Sequence, residues 1–483
     1  MRFAAIQRVV GFLIAMASLM MVPPALVGLY YGDGTVPLFA VSAALLLVIG
    51  LAIFLPVRGR RDELRIRDGF IIVVACWLAL ALVGALPFGL LKAPQISWVD
   101  AFFESMSGLT TTGATVLTDI NSLPRGILYY RQQLQWLGGM GIIVLAVAIL
   151  PMLRIGGMQL YRAETPGPLK DTKLTPRITE TAKALWLIYL GITTVCALAY
   201  WLGGMTAFDA VGHAFSTVAI GGFSTHDASL AYFDSATIEA IATVFMVIAG
   251  MNFALHFTAW RRASAQPYFQ DPELKVYAAL LAGFALVATV ALYLNGTYAT
   301  LGQSFRYAGF HVVSAMTTTG FTTTEFHLWT GFVPILLILI AFIGGCAGST
   351  AGGMKVIRII LLYRQSTREI LRLVHPHAVM PIKIGGQKTS PTVMDAVWGF
   401  FFLFITSFAV FTVLLNATGI DSVTAFSAAA ACITNLGPGL AEVGPNYSEL
   451  HDTAKLILSV AMLMGRLEIY TLLVLLTPAF WRD

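Results

Sequence analysis

One short phrase recurs four times along the 483 residues of this chain. It reads Thr110-Thr111-Thr112-Gly113, then Ala219-Ile220-Gly221-Gly222, Thr317-Thr318-Thr319-Gly320 and Thr434-Asn435-Leu436-Gly437. The final glycines are 109, 98 and 117 residues apart (222 − 113, 320 − 222, 437 − 320). Each copy closes a short, mostly apolar stretch flanked by longer apolar ones. A loop that turns carbonyl oxygens inward needs backbone conformations that glycine adopts at least cost. Four such loops in a membrane protein are the parts of a ring of carbonyls that replaces water around a dehydrated cation. Thr110–Thr112 and Thr317–Thr319 supply β-branched residues that favour extended backbone and pack behind the loop. The copies at 220–222 and 435–437 are looser, so the ring is pseudo-fourfold.

Such loops need a membrane scaffold, and the composition supplies one. Hydrophobic residues make up 57% and charged residues 11%, against roughly 45–50% and about 25% in soluble domains. A mean hydropathy of +0.78 excludes one soluble core. Ten segments approach the length of about 20 apolar residues that a span requires: 9–31, 36–57, 69–91, 128–150, 184–203, 236–260, 276–294, 332–362, 393–415 and 454–477. The first is read as a retained helix, not a signal peptide. With the N-terminus inside, 24 of the 30 Lys and Arg fall in cytoplasmic segments, as the positive-inside rule asks. Lys92, Arg125, Arg131, Arg306 and Lys455 fall outside. The net charge of +5 is thus a topology signal, and nucleic acid is not an expected partner. Cys76, Cys196, Cys346 and Cys432 form no CxxC pair or His/Cys cluster, which leaves them as small buried hydrophobes.

The chain therefore reads as an all-α polytopic membrane protein with four repeats of long helix, short pore helix, glycine loop and long helix around a central pore. The expected units are a peripheral two-helix unit at 1–68 and repeats at 69–153, 182–260, 275–362 and 392–483. Asp100, Asp209, Ser304 and Asp421 are candidate N-caps of the four short helices. Their C-terminal ends, negative by the helix dipole, would converge below the loops and favour a cation. Loops 154–183 and 363–392 are too polar for lipid and form a docking surface for a cytosolic partner.

Two further features carry gating chemistry. Residues Gly344–Lys355 hold five glycines in twelve positions, too many for a stable lipid-facing helix. Irregular backbone at membrane depth is tolerated where it lines a cavity, so this stretch predicts a flexible loop below the glycine ring. Gly345, Gly348, Ser349, Thr350, Gly352, Gly353 and Lys355 are its candidate gating residues. Arg466 sits inside the last span, where an arginine by default marks a functional pathway. It is expected to face the cavity as a barrier to cations. Glu468, two positions on, does not share its face. Glu104, His213 and His311 read as buried hydrogen-bonding groups behind the loops. Glu442, Glu449 and Asp452 are candidate acids at the mouth.

Together the four glycine phrases, the Gly344–Gly353 loop and Met464-Gly465-Arg466-Leu467-Glu468 resemble the Trk/Ktr/HKT superfamily of potassium transporters, and its bacterial TrkH branch in the two extra N-terminal spans. The resemblance covers essentially the whole chain. It implies a homodimer in the lipid of the bacterial inner membrane, with a TrkA-like cytosolic nucleotide-binding ring as regulatory partner. Glycine at Gly113, Gly222, Gly320 and Gly437 implies potassium selectivity. The implied ligands of the transported potassium ion are Thr111, Thr112, Ile220, Gly221, Thr318, Thr319, Asn435 and Leu436, mainly through carbonyls. Potassium and rubidium should pass better than sodium. The alternative is symport coupled to protons or sodium, against which the absence of a row of acids in the spans argues. No paired acids, metal cluster or activated nucleophile points to an enzyme.

Overall fold

A computed structural model describes residues 3–59, 66–144, 178–378 and 380–482. The chain begins with a bent helical segment, Phe3–Ala17 and Val22–Tyr31, followed by Val36–Phe54. The first and third of these helices cross closely through small residues. A side chain at Gly50 would strike the Ala15 backbone, and one at Gly11 the Phe54 amide. Backbones in a membrane approach this way because small residues permit dispersion contacts that lipid alone does not reward. Asp33 and Met20 tie this unit to the rest, accepting bonds from Gly126 N–H (2.7 Å) and Gln133 Nε2 (2.8 Å).

Four times thereafter the chain runs long helix, short helix, glycine loop and second helix. The long helices are Ile66–Gly84, Ile178–Leu202, Pro272–Leu294 and Pro391–Ala417. The short ones are Trp98–Leu109, Ala207–Ala219, Leu301–Met316 and Ser422–Ile433. The short helices start at Ser97, Thr206, Thr300 and Asp421, whose side chains cap free backbone N–H groups. Asp421 is the expected cap; the other three expectations are corrected. Asp100 and Asp209 sit three residues inside, where they donate their N–H to the cap hydroxyls of Ser97 and Thr206 and accept from those hydroxyls in turn (2.9 and 2.7 Å). Ser304 is one turn inside its helix and buried. The true caps lie sixteen residues before their glycines in three copies (113 − 97, 222 − 206, 437 − 421) and twenty in the other (320 − 300).

The second helices of the second and fourth copies differ from the expected continuous spans. Arg125–Val144 is continuous over its described length; the rest of the 128–150 segment, and the 154–177 part of the first polar loop, lie outside the described residues. The second copy bends by 92° between Ala249 and Phe253, and the fourth by 117° between Arg466 and Tyr470. The third copy breaks most widely, from Ala341 to Val356, as its glycines predicted. Six described helices are long and apolar enough to cross a membrane, or eight with the two bent pairs, against ten expected. Arg125–Val144 fails that test because it carries Arg131, Gln132, Gln133 and Gln135, all buried. The second polar loop also differs. Val356–Val374 is helical, and residues 383–388 form a two-stranded hairpin turned by Gly385-Gly386 at φ 54° and 83°, a primed-turn geometry that suits glycine. The four cysteines are free and buried.

Candidate functional site

The four glycine loops share one backbone. Two residues before each glycine, Thr111, Ile220, Thr318 and Asn435 have φ of 52°, 56°, 65° and 58°. The glycines Gly113, Gly222, Gly320 and Gly437 have φ of 82°, 79°, 81° and 96°. The residue between donates its N–H to the carbonyl five positions back: Thr112 to Ser107 (2.9 Å), Gly221 to Ser216 (2.8 Å), Thr319 to Ser314 (2.8 Å) and Leu436 to Ala431 (2.7 Å). Three of the four residues held at positive φ two before the glycine are β-branched, a genuine outlier costing on the order of 1–3 kcal/mol each. Such strain persists only where surrounding structure over-determines it, and it recurs in all four copies.

The loops also meet one another in a closed cycle. A Cβ built on Gly113 would overlap the Gly221 carbonyl oxygen. One on Gly222 would overlap that of Thr319, one on Gly320 that of Leu436, and one on Gly437 that of Thr112. Each glycine thus faces the carbonyl of the next copy, and the fourth returns to the first. The twelve predicted residues are brought together. Thr111, Thr112, Ile220, Thr318, Thr319, Asn435 and Leu436 are buried to 2% exposure or less.

Behind this ring lie polar braces. Thr110 and Thr112 hydroxyls pair at 2.7 Å, and Thr317 and Thr319 do the same. Asn435 Nδ2 donates to Thr112 Oγ1 (3.0 Å) and the Met462 carbonyl (2.9 Å). Glu104 accepts from Arg131 Nε (2.8 Å), Thr115 Oγ1 (3.0 Å) and Val116 N–H (3.1 Å). Arg131 is fully buried. It also donates to the Ser224 carbonyl (3.0 Å) and lies over the Phe223 ring. His213 donates to the Asp209 carbonyl (2.8 Å), with Nε2 2.9 Å from Ser224 Oγ. His311 donates to the Tyr307 carbonyl (2.8 Å). All three predicted groups are hydrogen-bonded behind the loops.

On the side towards which the chain leaves the glycines lies a cavity of about 240 Å³. Its lining includes all four glycines and two acids, Asp227 and Glu325. Glu442, Glu449 and Asp452 are not in that lining. Asp227 is engaged by the Ile120 and Asn121 amides (2.9 and 3.1 Å).

On the opposite side the 344–355 loop is pressed against the ends of three short helices. Gly352 N–H donates to Thr318 Oγ1 (2.7 Å), Gly353 N–H to the Thr434 carbonyl (3.1 Å) and Thr350 Oγ1 to the Val218 carbonyl (2.9 Å). The bend of the second copy interlocks with it: Cys346 N–H donates to the Gly250 carbonyl (2.9 Å) and Phe253 N–H to that of Gly348 (3.0 Å). Gly345 accepts from Val356 N–H (3.0 Å), Ser349 Oγ donates to Cys346 (2.6 Å), and Lys355 Nζ folds back on the Ala351 carbonyl. Arg466 Nη1 donates to the Thr350 carbonyl (3.2 Å). Its Nε and Nη2 find no partner among the described residues. Glu468 accepts from Arg358 Nη2 at 2.8 Å.

Sequence reasoning missed four contributors. Gln135 grips the second glycine loop, Tyr447 donates to the Gly437 carbonyl (2.7 Å), and Glu273 accepts from Ala347 and Ile357 N–H (2.8 and 3.1 Å) at both ends of the 344–355 loop. Arg358 is the fourth. Arg131–Gln135, a polar run within an apolar segment, was the legible signal for one of them; Tyr447 carried none.

These features define a polytopic membrane transport protein, with no catalytic constellation among the described residues. A family profile described as TrkH, cation transport protein, matches residues 38–482, and the chain belongs to that family. It is 56% identical over 477 residues to the Trk system potassium uptake protein TrkH of Halomonas elongata, covering 99% of each chain. It is 52% identical over 483 residues to the protein of that name from Escherichia coli K12, covering 100% of each. The crystal structure of the potassium transporter TrkH from Vibrio parahaemolyticus superposes with a TM-score of 0.92 at 52% identity, covering 100% of both chains.

Proposed function

We propose that this chain takes up potassium, with rubidium accepted and sodium disfavoured, through a channel-like pore whose selectivity filter is the glycine ring. The observation that carries this reading is the closed cycle of glycine against neighbouring carbonyl, Gly113 to Gly221, Gly222 to Thr319, Gly320 to Leu436 and Gly437 to Thr112. Carbonyls from Thr111, Thr112, Ile220, Gly221, Thr318, Thr319, Asn435 and Leu436 replace the hydration shell of the ion. The relatives' name as potassium uptake proteins supports the choice of cargo.

The 344–355 loop is the proposed gate, since its bonds to Thr318, Thr434 and Val218 hold it against the base of the ring. Arg466 fixes the Thr350 carbonyl and adds positive charge on the ion's path. The protein works as a homodimer in the bacterial inner membrane, with both termini inside and a TrkA-like nucleotide-binding ring displacing the gate from the cytosol. The repeats at 69–153, 182–260, 275–362 and 392–483 form the pore unit, and residues 1–68 stand beside it. The deciding experiment is the reversal potential in proteoliposomes under opposed potassium and sodium gradients. It should follow potassium and shift little with protons. Equal sodium permeability would overturn the selectivity, and a potential that tracks the proton or sodium gradient would make the protein a symporter.

A further inference from the structure

The second glycine loop lacks the threonine braces of the first and third copies. Where the first and third copies pair Thr110 with Thr112 and Thr317 with Thr319, the second has Ala219 and Gly221. Their place is filled from another copy. Gln135, on the second helix of the first repeat, is fully buried. Its Nε2 donates to the Gly221 carbonyl at 2.5 Å, and its Oε1 accepts from Phe223 N–H at 3.0 Å. The carboxamide therefore grips the loop on both sides of Gly222. A Cβ at Gly221 would overlap the head of Gln135, and all three nearest atoms belong to that side chain. Gly221 has no positive φ, so its backbone does not demand glycine; the space taken by Gln135 does. The same Gly221 carbonyl is the one that faces Gly113 in the ring. It has a second lone pair for an ion while the first accepts from Gln135.

We propose that Gln135 is a selectivity-determining positioning residue, whose carboxamide stands in for the missing threonine and sets the direction of the Gly221 carbonyl. The inference rests on the filter reading. Removing the amide leaves a buried carbonyl and a buried N–H without partners, a loss on the order of a factor of ten in any equilibrium that needs them fixed.

The test is the potassium-to-sodium permeability ratio of the full-length protein in proteoliposomes. Gln135→Leu should lower the ratio about tenfold. Gln135→Ala combined with Gly221→Thr should recover most of it, because the vacated space admits the threonine that other copies carry. Gly222→Ala runs as the control for the filter itself. A Gln135→Leu protein with the native ratio, beside a Gly222→Ala protein with a lowered one, overturns the role of Gln135 alone. Native ratios in both overturn the filter reading. If Gln135→Leu does not fold, the double variant decides: a ratio near native supports the stand-in, and a ratio as low as that of Gly222→Ala refutes it. A merely structural glutamine would change the amount of folded protein and leave the ratio where it was.

Discussion

The glycine ring and the loop beneath it are both irregular backbone buried at membrane depth, yet they are held in opposite ways. In the ring, each copy repeats the same short-range hydrogen bond from its loop to the last turn of its own helix. The four copies then lock each other in a cycle. The 344–355 loop occurs once and is held by partners distant in sequence, among them Thr318, Thr434, Val218, Glu273 and Arg466. A structure of local, repeated bonds cannot lose one without straining the rest. One held by a few remote bonds is released when their elements move. On the proposed reading the ring is a permanent filter above a displaceable gate, so ring mutations should change selectivity and loop mutations basal flux.

The largest expected effect comes from forcing a side chain into the ring. Gly320→Ala meets both the penalty of φ 81° and the Leu436 carbonyl, a backbone atom that cannot rotate away. Potassium uptake should fall by about 100-fold or more, the sum of two strains of about 1–3 kcal/mol, measured as uptake by cells lacking other potassium transporters. Native uptake by this variant would break the comparison at its root. Next is the scaffold behind the ring. Glu104→Leu strands the buried Arg131 guanidinium, which loses its carboxylate at 2.8 Å. A loss of about 3–5 kcal/mol in stability is expected, seen as a lowered thermal transition of the detergent-solubilised protein. Glu104→Gln should retain more, since it still accepts from Arg131.

The ring was legible in the sequence because its determinants are local: a glycine, the residues just before it and an apolar helix, recurring at near-regular spacing. The loop was legible through its glycines. The helix starts were less so, since Asp100 and Asp209 look like caps while Ser97 and Thr206 do the capping, and Asp is itself a favoured N-cap type. The bends had unequal signals. Gly250 and Asn252 mark the first, and Asn252 caps the helix that follows it by accepting from Ala254 N–H at 2.8 Å. The second runs through Glu468 and Ile469 at φ 54° and 55°, residues that resist this conformation. Contacts such as Glu468 with Arg358 of another copy accompany it, and one-dimensional patterns do not show them. The grip of Gln135 on Gly221, 86 residues away, is of the same kind.

Loop variants should change flux and spare the ratio. Arg466→Ala removes the donor to Thr350 and a positive charge from the proposed path; basal potassium flux without the regulatory partner should rise about tenfold, as for loss of one charged hydrogen bond. Glu273→Ala releases both ends of the loop and should raise basal flux about threefold, a smaller effect because neutral backbone donors regain partners on moving. Glu273→Gln keeps an acceptor and should stay near native. A change in potassium-to-sodium ratio for either alanine variant would show that the loop shapes the ring, and the division proposed above would fall.

The smallest expected effect lies at the cavity. His327 is half-buried in its lining, beside Glu325. Burial pushes the pKa of the imidazole below its ordinary value, against the pull of Glu325. His327 is thus neutral at pH 7.5 and gains its charge only as the pH falls below the usual imidazole range of about 6.5. Its positive charge then opposes cations approaching the ring. For charges about 10 Å apart in water the repulsion is about 0.4 kcal/mol, so uptake at low pH should fall about twofold. Added salt should weaken the effect, and His327→Gln should abolish it while leaving uptake at pH 7.5 unchanged. An acid-dependent fall of the same size in the His327→Gln protein would assign it to another group. Loss of the potassium-to-sodium ratio at low pH would place the titrating group at the ring itself.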